Sequence, residues 1–123
     1  VFNRNHEWYF KFGVDKKKLS KCSEIILKQN NFKNFCKASS RKDNNHCKIY
    51  CSKWIYKENK LIYNVIADRF LHHMVRFLVG TMLEVSKGRF TIDQFNSLFS
   101  KNDSTISVVK APAKGLFLND IEF

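Results

Sequence analysis

The sequence predicts an α+β fold in which helices pack on one face of a mainly antiparallel sheet. Three observations carry the prediction. From Cys47 to Ala67, apolar and polar residues alternate on both sides of a polar "KENK", the pattern of a hairpin. After Asp68, the run "RFLHHMVRFLVGTMLEV" is apolar nearly all round, as a central buried helix is. "LSKCSEIILKQN" and "TIDQFNSLFSK" each carry one apolar stripe at helical spacing.

At 123 residues the chain is long enough for one core and too short for two, so residues 1–123 are expected to form a single domain. A hydrophobic fraction of 44% with 12 Phe excludes a disordered tail. The 22 Lys and Arg against 11 Asp and Glu give a formal charge of +11, which suits a polyanion such as nucleic acid or an anionic membrane surface. Biased codon usage toward Lys, Asn, Ile and Phe gives the same composition without such a partner. No stretch approaches the roughly 18 apolar residues of a bilayer span, and "VFNRNHEWYF" lacks a signal-peptide pattern. A soluble, cytoplasmic protein with no membrane partner is expected.

Taken in order, Leu19, Cys22, Ile25 and Ile26 lie on one face of a short helix over Leu19–Asn30. "NNFKNFCKASSRKDNNH" breaks that period and reads as a long loop anchored by Phe32 and Phe35. In the first hairpin strand, Tyr50, Trp54 and Tyr56 share one face; they either stack on RNA bases or pack under a helix. The same alternation sends Cys47 and Cys51 to one common face. His46 sits beside them, but no second ligand pair is nearby, and no metal site is expected. Asp68 stands where an N-cap belongs, opening a helix from Arg69 to Val85 that ends near Gly88. Thr91 opens the next helix, with Ile92, Phe95, Leu98 and Phe99 on its apolar face. "APAKGLFLNDIEF" closes with an alternating strand in which Leu116, Leu118 and Ile121 are candidates for burial.

Three of these stretches, "NNFKNFCK", "ADRFLHHMVRFLVGTMLEVSKGR" and "APAKGLFLNDIEF", resemble in order and spacing the second half of the tRNA pseudouridine synthase A (TruA) family. The resemblance implies a pseudouridine synthase-like α+β fold and isomerisation of uridine in the anticodon stem-loop of tRNA. It also implies a homodimer that needs no metal or organic cofactor. The family's nucleophile is an aspartate in a G-R-T-D-x-G-V-H-A motif of the first half, and that motif is absent from this sequence. Asp15, Asp43, Asp68, Asp93, Asp103 and Asp120 all stand in other contexts. The chain is therefore expected to be a C-terminal fragment whose partner is the missing N-terminal half, and to be inactive alone. "SKNDSTISVVKAPAKG" departs from the family's K-D-R stretch.

Arg76, inside the apolar run, raises the main question, because burying a guanidinium costs several kcal/mol unless it is paired. The resemblance makes it the catalytic partner of the absent aspartate. Read alone, it is a residue whose stem lies along apolar neighbours while its head reaches water. With no matched carboxylate in the chain, its removal here is expected to cost little stability. His72 shares its predicted helix face and either lines an RNA cleft or packs; His73 is expected to pack. Leu116 matches a family position that walls the pocket, and core packing explains it equally. Lys114, Arg41, Lys42, Lys87 and Arg89 are candidates for tRNA phosphates, or simply a solvated basic face. A non-catalytic basic RNA-binding module and an interaction domain without a ligand of its own stay open beside the enzyme. If phosphate neutralisation dominates, tRNA affinity measured by fluorescence anisotropy falls steeply between low and moderate salt; affinity that ignores salt rules that binding mode out.

Overall fold

A computed structural model describes residues 4–10, 15–36, 45–57, 60–100, 107–111 and 116–117. In chain order these form β1 (Arg4–Phe10), α1 (Lys16–Leu27), a 3-10 turn (Lys33–Phe35), β2 (Ile49–Lys57), β3 (Lys60–Ala67), α2 (Met74–Ser86), α3 (Ile92–Ser97) and β4 (Leu116–Phe117). The strands make one antiparallel sheet in the order β2-β3-β1-β4. The α+β expectation holds. Along β3, Leu61, Tyr63, Val65 and Ala67 are buried and the residues between them are not, so the helices cover one face. β1 had no counterpart in the sequence reading, yet it pairs with β3 from Arg4↔Ala67 to Phe10↔Leu61 and bridges the hairpin to β4.

The hairpin is present, with a change of parity. β2 opposes Ile49 to Ala67 but Cys51 to Ile66, so Tyr50 is an extra residue, a β-bulge. A one-residue insertion flips every side chain on one side of it. Ile49, Ser52 and Trp54 accordingly face the helices, while Tyr50 is 44% exposed. The expected common face of Tyr50, Trp54 and Tyr56 is thus wrong: Trp54 packs on the core with its Nε1 donating to Met82 Sδ at 3.4 Å, Tyr50 faces water, and the Tyr56 side chain lies outside the described residues. Cys47 and Cys51 are separated by the same bulge. Cys47 is buried against Met74 Sδ at 3.9 Å, whereas Cys51 meets Asn64 Oδ1 on the other face. The Ser52 and Tyr63 hydroxyls, 2.7 Å apart, satisfy each other in the core.

Helix starts depend on caps. Asp15 accepts from the Lys18 N–H, so α1 opens three residues before Leu19; it ends at Leu27, before the expected Asn30. Asp68 is not the cap of α2. Its Oδ1 accepts from the Lys48 N–H at 2.9 Å and its own N–H donates to the Lys48 carbonyl, which ties off the hairpin. α2 begins only at Met74, after His73 in the left-handed conformation (φ 61°). Met74, Leu78, Val79, Met82 and Val85 are fully or almost fully buried, as the apolar run predicts. The turn after α2 has Gly88 at φ 82°. α3 opens with a reciprocal capping box between Thr91 and Gln94, and Phe95, Leu98 and Phe99 point into the core. There Phe99 stacks on Phe35 at 4.8 Å and meets Phe32 edge-on at 5.6 Å, so both loop anchors are fully buried. Leu118 and Ile121 lie outside the described residues. Among the described residues, no helix is long and apolar enough to cross a membrane.

Residues 107–111 run beside α2 and pass close against Gly80. A Cβ at that position would lie 2.1 Å from the Val109 carbonyl oxygen and 2.6 Å from the Ala111 nitrogen, both backbone atoms that cannot rotate away. Gly80→Ala adds roughly 1 kcal/mol of helix propensity, but overpacking costs roughly 1–3 kcal/mol, and displacing a bonded segment places this case at the upper end. The variant is expected to unfold at lower urea than the wild type, with the Ala111 amide exchanging faster.

Candidate functional site

Arg76 lies in the first turns of α2, half-buried. Its Nε donates to the Ala111 carbonyl at 3.0 Å, and its own carbonyl accepts from the Ala111 N–H, also at 3.0 Å. One turn further on, Thr81 Oγ1 accepts from the Val109 N–H at 2.9 Å and lies 3.4 Å from the Val109 carbonyl, to which it donates. The peptide groups of Val109 and Ala111 are therefore satisfied by a helix instead of a neighbouring strand. Lys110, between the two contacts, holds its Nζ 5.8 Å from the centre of the Phe77 ring. Among the described residues no carboxylate pairs with Arg76. One guanidinium edge is committed to Ala111, and the remaining N–H groups keep the fork that binds a carboxylate or phosphate.

The other sequence candidates are not gathered around it. His72 is exposed in the turn before α2, and because the helix starts at Met74 the expected shared helix face with Arg76 does not exist. His72 and His73 instead stack ring on ring, 4.0 Å between centroids, with His73 half-buried. Lys87 and Arg89 lie at the far end of α2, with Lys87 about 16 Å along the axis from Arg76. Both pair with Glu84, Arg89 Nη1 at 3.1 Å and Lys87 Nζ at 3.7 Å, so one carboxylate divides its charge between two cations. The Leu116 backbone stands in β4 opposite Trp8, and its side chain lies outside the described residues, as do Arg41, Lys42 and Lys114 altogether. Gly80, Thr81 and Ala111 were missed. A glycine followed by a threonine inside an otherwise apolar helix was the available signal, since each lowers helix propensity without filling the core.

Cys22, Cys36 and Cys47 are buried and Cys51 is partly exposed. Burial pushes the Cys22 thiol up to about 12, and pushes Cys47 up to about 11 against the pull of the Arg69 guanidinium. These are inert core thiols. Among the described residues, no group of three His, Cys, Asp or Glu is placed to hold a metal ion.

Against known proteins, a family model described as tRNA pseudouridine synthase matches residues 29–123. The tRNA pseudouridine synthase A of Azobacteroides pseudotrichonymphae is 32% identical over 121 residues, covering 98% of this chain and 49% of that protein. The enzyme of the same name from Dictyoglomus thermophilum is 33% identical over 123 residues, covering 100% and 50%. That from Parabacteroides distasonis is 31% identical over 121 residues, covering 97% and 48%. The chain thus spans about half the length of the curated relatives it matches.

Arg76→Met removes the bond to Ala111, so in this chain it is expected to cost about 1–2 kcal/mol in a urea melt, more than the absence of a carboxylate alone implied. Cys22 and Cys47 have folded values above the ordinary 9.0, so their contribution to stability is complete below pH 9 and is lost as pH rises through 11 to 12. The urea midpoint should therefore fall above pH 9. In the native state a thiol reagent should label Cys51 first and the other three only on unfolding.

Proposed function

This chain belongs to the tRNA pseudouridine synthase family, and we propose that its 123 residues act as one domain, the arginine-bearing half of an enzyme that isomerises uridine in the anticodon stem-loop of tRNA. The observation that carries the reading is Arg76: a half-buried guanidinium anchored at Nε on Ala111, with no carboxylate among the described residues to pair with it. The pocket must hold a uracil that is flipped from its stack, detached at N1, rotated and rejoined through C5. An aspartate assists only while ionised, and desolvation in such a pocket opposes ionisation. A guanidinium within about 4 Å reverses that, and the fork also fixes the carboxylate's direction.

The aspartate comes from the complementary N-terminal half, and the complete enzyme is a homodimer working without metal or organic cofactor. Leu116 walls the pocket. His72, Lys114, Arg41, Lys42, Lys87 and Arg89 meet tRNA; for Lys87 and Arg89 this means exchanging part of their pairing with Glu84 for phosphate. A non-catalytic RNA-binding module is the second reading, and the missing G-R-T-D motif together with the structural use of Arg76 at Ala111 favours it for the chain by itself.

Tritium release from C5-labelled uridine in tRNA separates the two. The chain alone is expected to release none. Joined to the first half of the Dictyoglomus thermophilum relative, it is expected to turn over, and Arg76→Lys is expected to lose most of that activity because lysine cannot bind bidentately. Turnover by the chain alone overturns the assignment of the nucleophile, and a joined protein unaffected by Arg76→Lys overturns the role of Arg76.

A further inference from the structure

We propose that Thr81 is a positioning residue: through Val109 it seats residues 107–111 on α2, and through Ala111 that segment aims the Arg76 guanidinium. The inference rests on the reading of Arg76 as a carboxylate partner and adds how its direction is set.

The geometry is a two-point grip. Arg76 and Thr81 are five residues apart on a helix, about 7.5 Å along its axis. Val109 and Ala111 are two residues apart, a stretch of chain that reaches at most about 6.7 Å. The two spacings nearly match, so Thr81 bonds both peptide groups of Val109 while Arg76 bonds both of Ala111. Gly80, between the two grips on the helix, admits the segment at a distance no Cβ allows. A buried threonine inside a helix ordinarily turns its hydroxyl back to the carbonyl four residues earlier. Thr81 is fully buried and spends its hydroxyl on Val109 instead.

The consequence falls on Arg76. An arginine side chain has many rotamers, and a single bond to a carbonyl orients it only as well as that carbonyl is held. With Ala111 as the only contact, the segment pivots and the guanidinium pivots with it. With Val109 pinned as well, the Ala111 carbonyl has one direction, and the rest of the guanidinium is presented in one direction.

The test reads the guanidinium directly in the 15N-labelled 123-residue chain. The Arg76 Nε–Hε signal is identified by its loss in Arg76→Lys. It is expected to exchange at least about tenfold more slowly than that of free arginine. In Thr81→Val, of the same shape without the hydroxyl, the protection should disappear while amides of Leu78 and Met82 stay protected; Thr81→Ser should restore it. A Thr81→Val chain that keeps Arg76 Hε protected overturns the proposal, as does a wild-type Hε that exchanges like free arginine. Should Thr81→Val fail to fold, wild-type exchange in rising urea decides: Val109 and Ala111 amides and Arg76 Hε opening together support the grip, and an Hε that opens independently of them overturns it. None of these readouts involves catalysis. An inactive joined protein with Hε still protected therefore fails the assigned reaction while the grip stands.

Discussion

The structure depends on the need to satisfy the peptide groups of residues 107–111 against a helix. Along its sides a helix presents no free backbone N–H, only the second lone pairs of its carbonyls, so residues 107–111 could not dock on α2 through main chain alone. Side-chain chemistry supplies the missing groups: the Thr81 hydroxyl serves as both donor and acceptor, and the Arg76 Nε serves as a donor. The Arg76 carbonyl, with its second lone pair, takes the Ala111 N–H. Gly80 brings the two backbones close enough for these bonds to form. A charged residue in an apolar helix thereby acquires a structural use that, among the described residues, engages only the Nε of its guanidinium.

Burial around α2 makes this arrangement rigid. Met74, Leu78, Met82 and Val85 lie in the same core as Tyr63 and Val65 of β3 and as Leu19, Cys22 and Ile26 of α1. A helix embedded this way cannot roll. The left-handed His73 that precedes it is held between the end of the hairpin, tied off by Asp68 and Lys48, and the first buried turn. Non-glycine residues hold such a backbone only where the surroundings impose it.

Charge is distributed unevenly along α2. At its C-terminal end Glu84, its side chain only 12% exposed, draws in Lys87 and Arg89. Near its N-terminal end Arg76 has no such counterweight among the described residues. Among the described residues, positive charge is thus partly neutralised at one end of the helix and left without a carboxylate at the other, where an anion gains most from it.

Periodicity and caps made much of the fold legible. The hairpin about "KENK", the buried apolar run of α2 and the opening of α3 at Thr91 each depend on residues close in sequence and were legible from them, although α2 starts at Met74 and not at Arg69. What depended on distant residues was not legible. β1 earns its place only by pairing with β3, and Asp68 left its expected cap because Lys48, twenty residues earlier, offered both a donor and an acceptor. The bulge at Tyr50 reversed the faces of Cys51 and Trp54, a change of register that no single strand's pattern records. At the candidate site the division is the same. The sequence by itself determined that an arginine sits in an apolar helix and needs a partner. Only tertiary structure decided that Ala111, thirty-five residues away, takes its Nε and that Thr81 bonds Val109 beside it across the gap Gly80 leaves, because hydrogen bonding between a helix and a separate segment of chain has no period for a sequence to display.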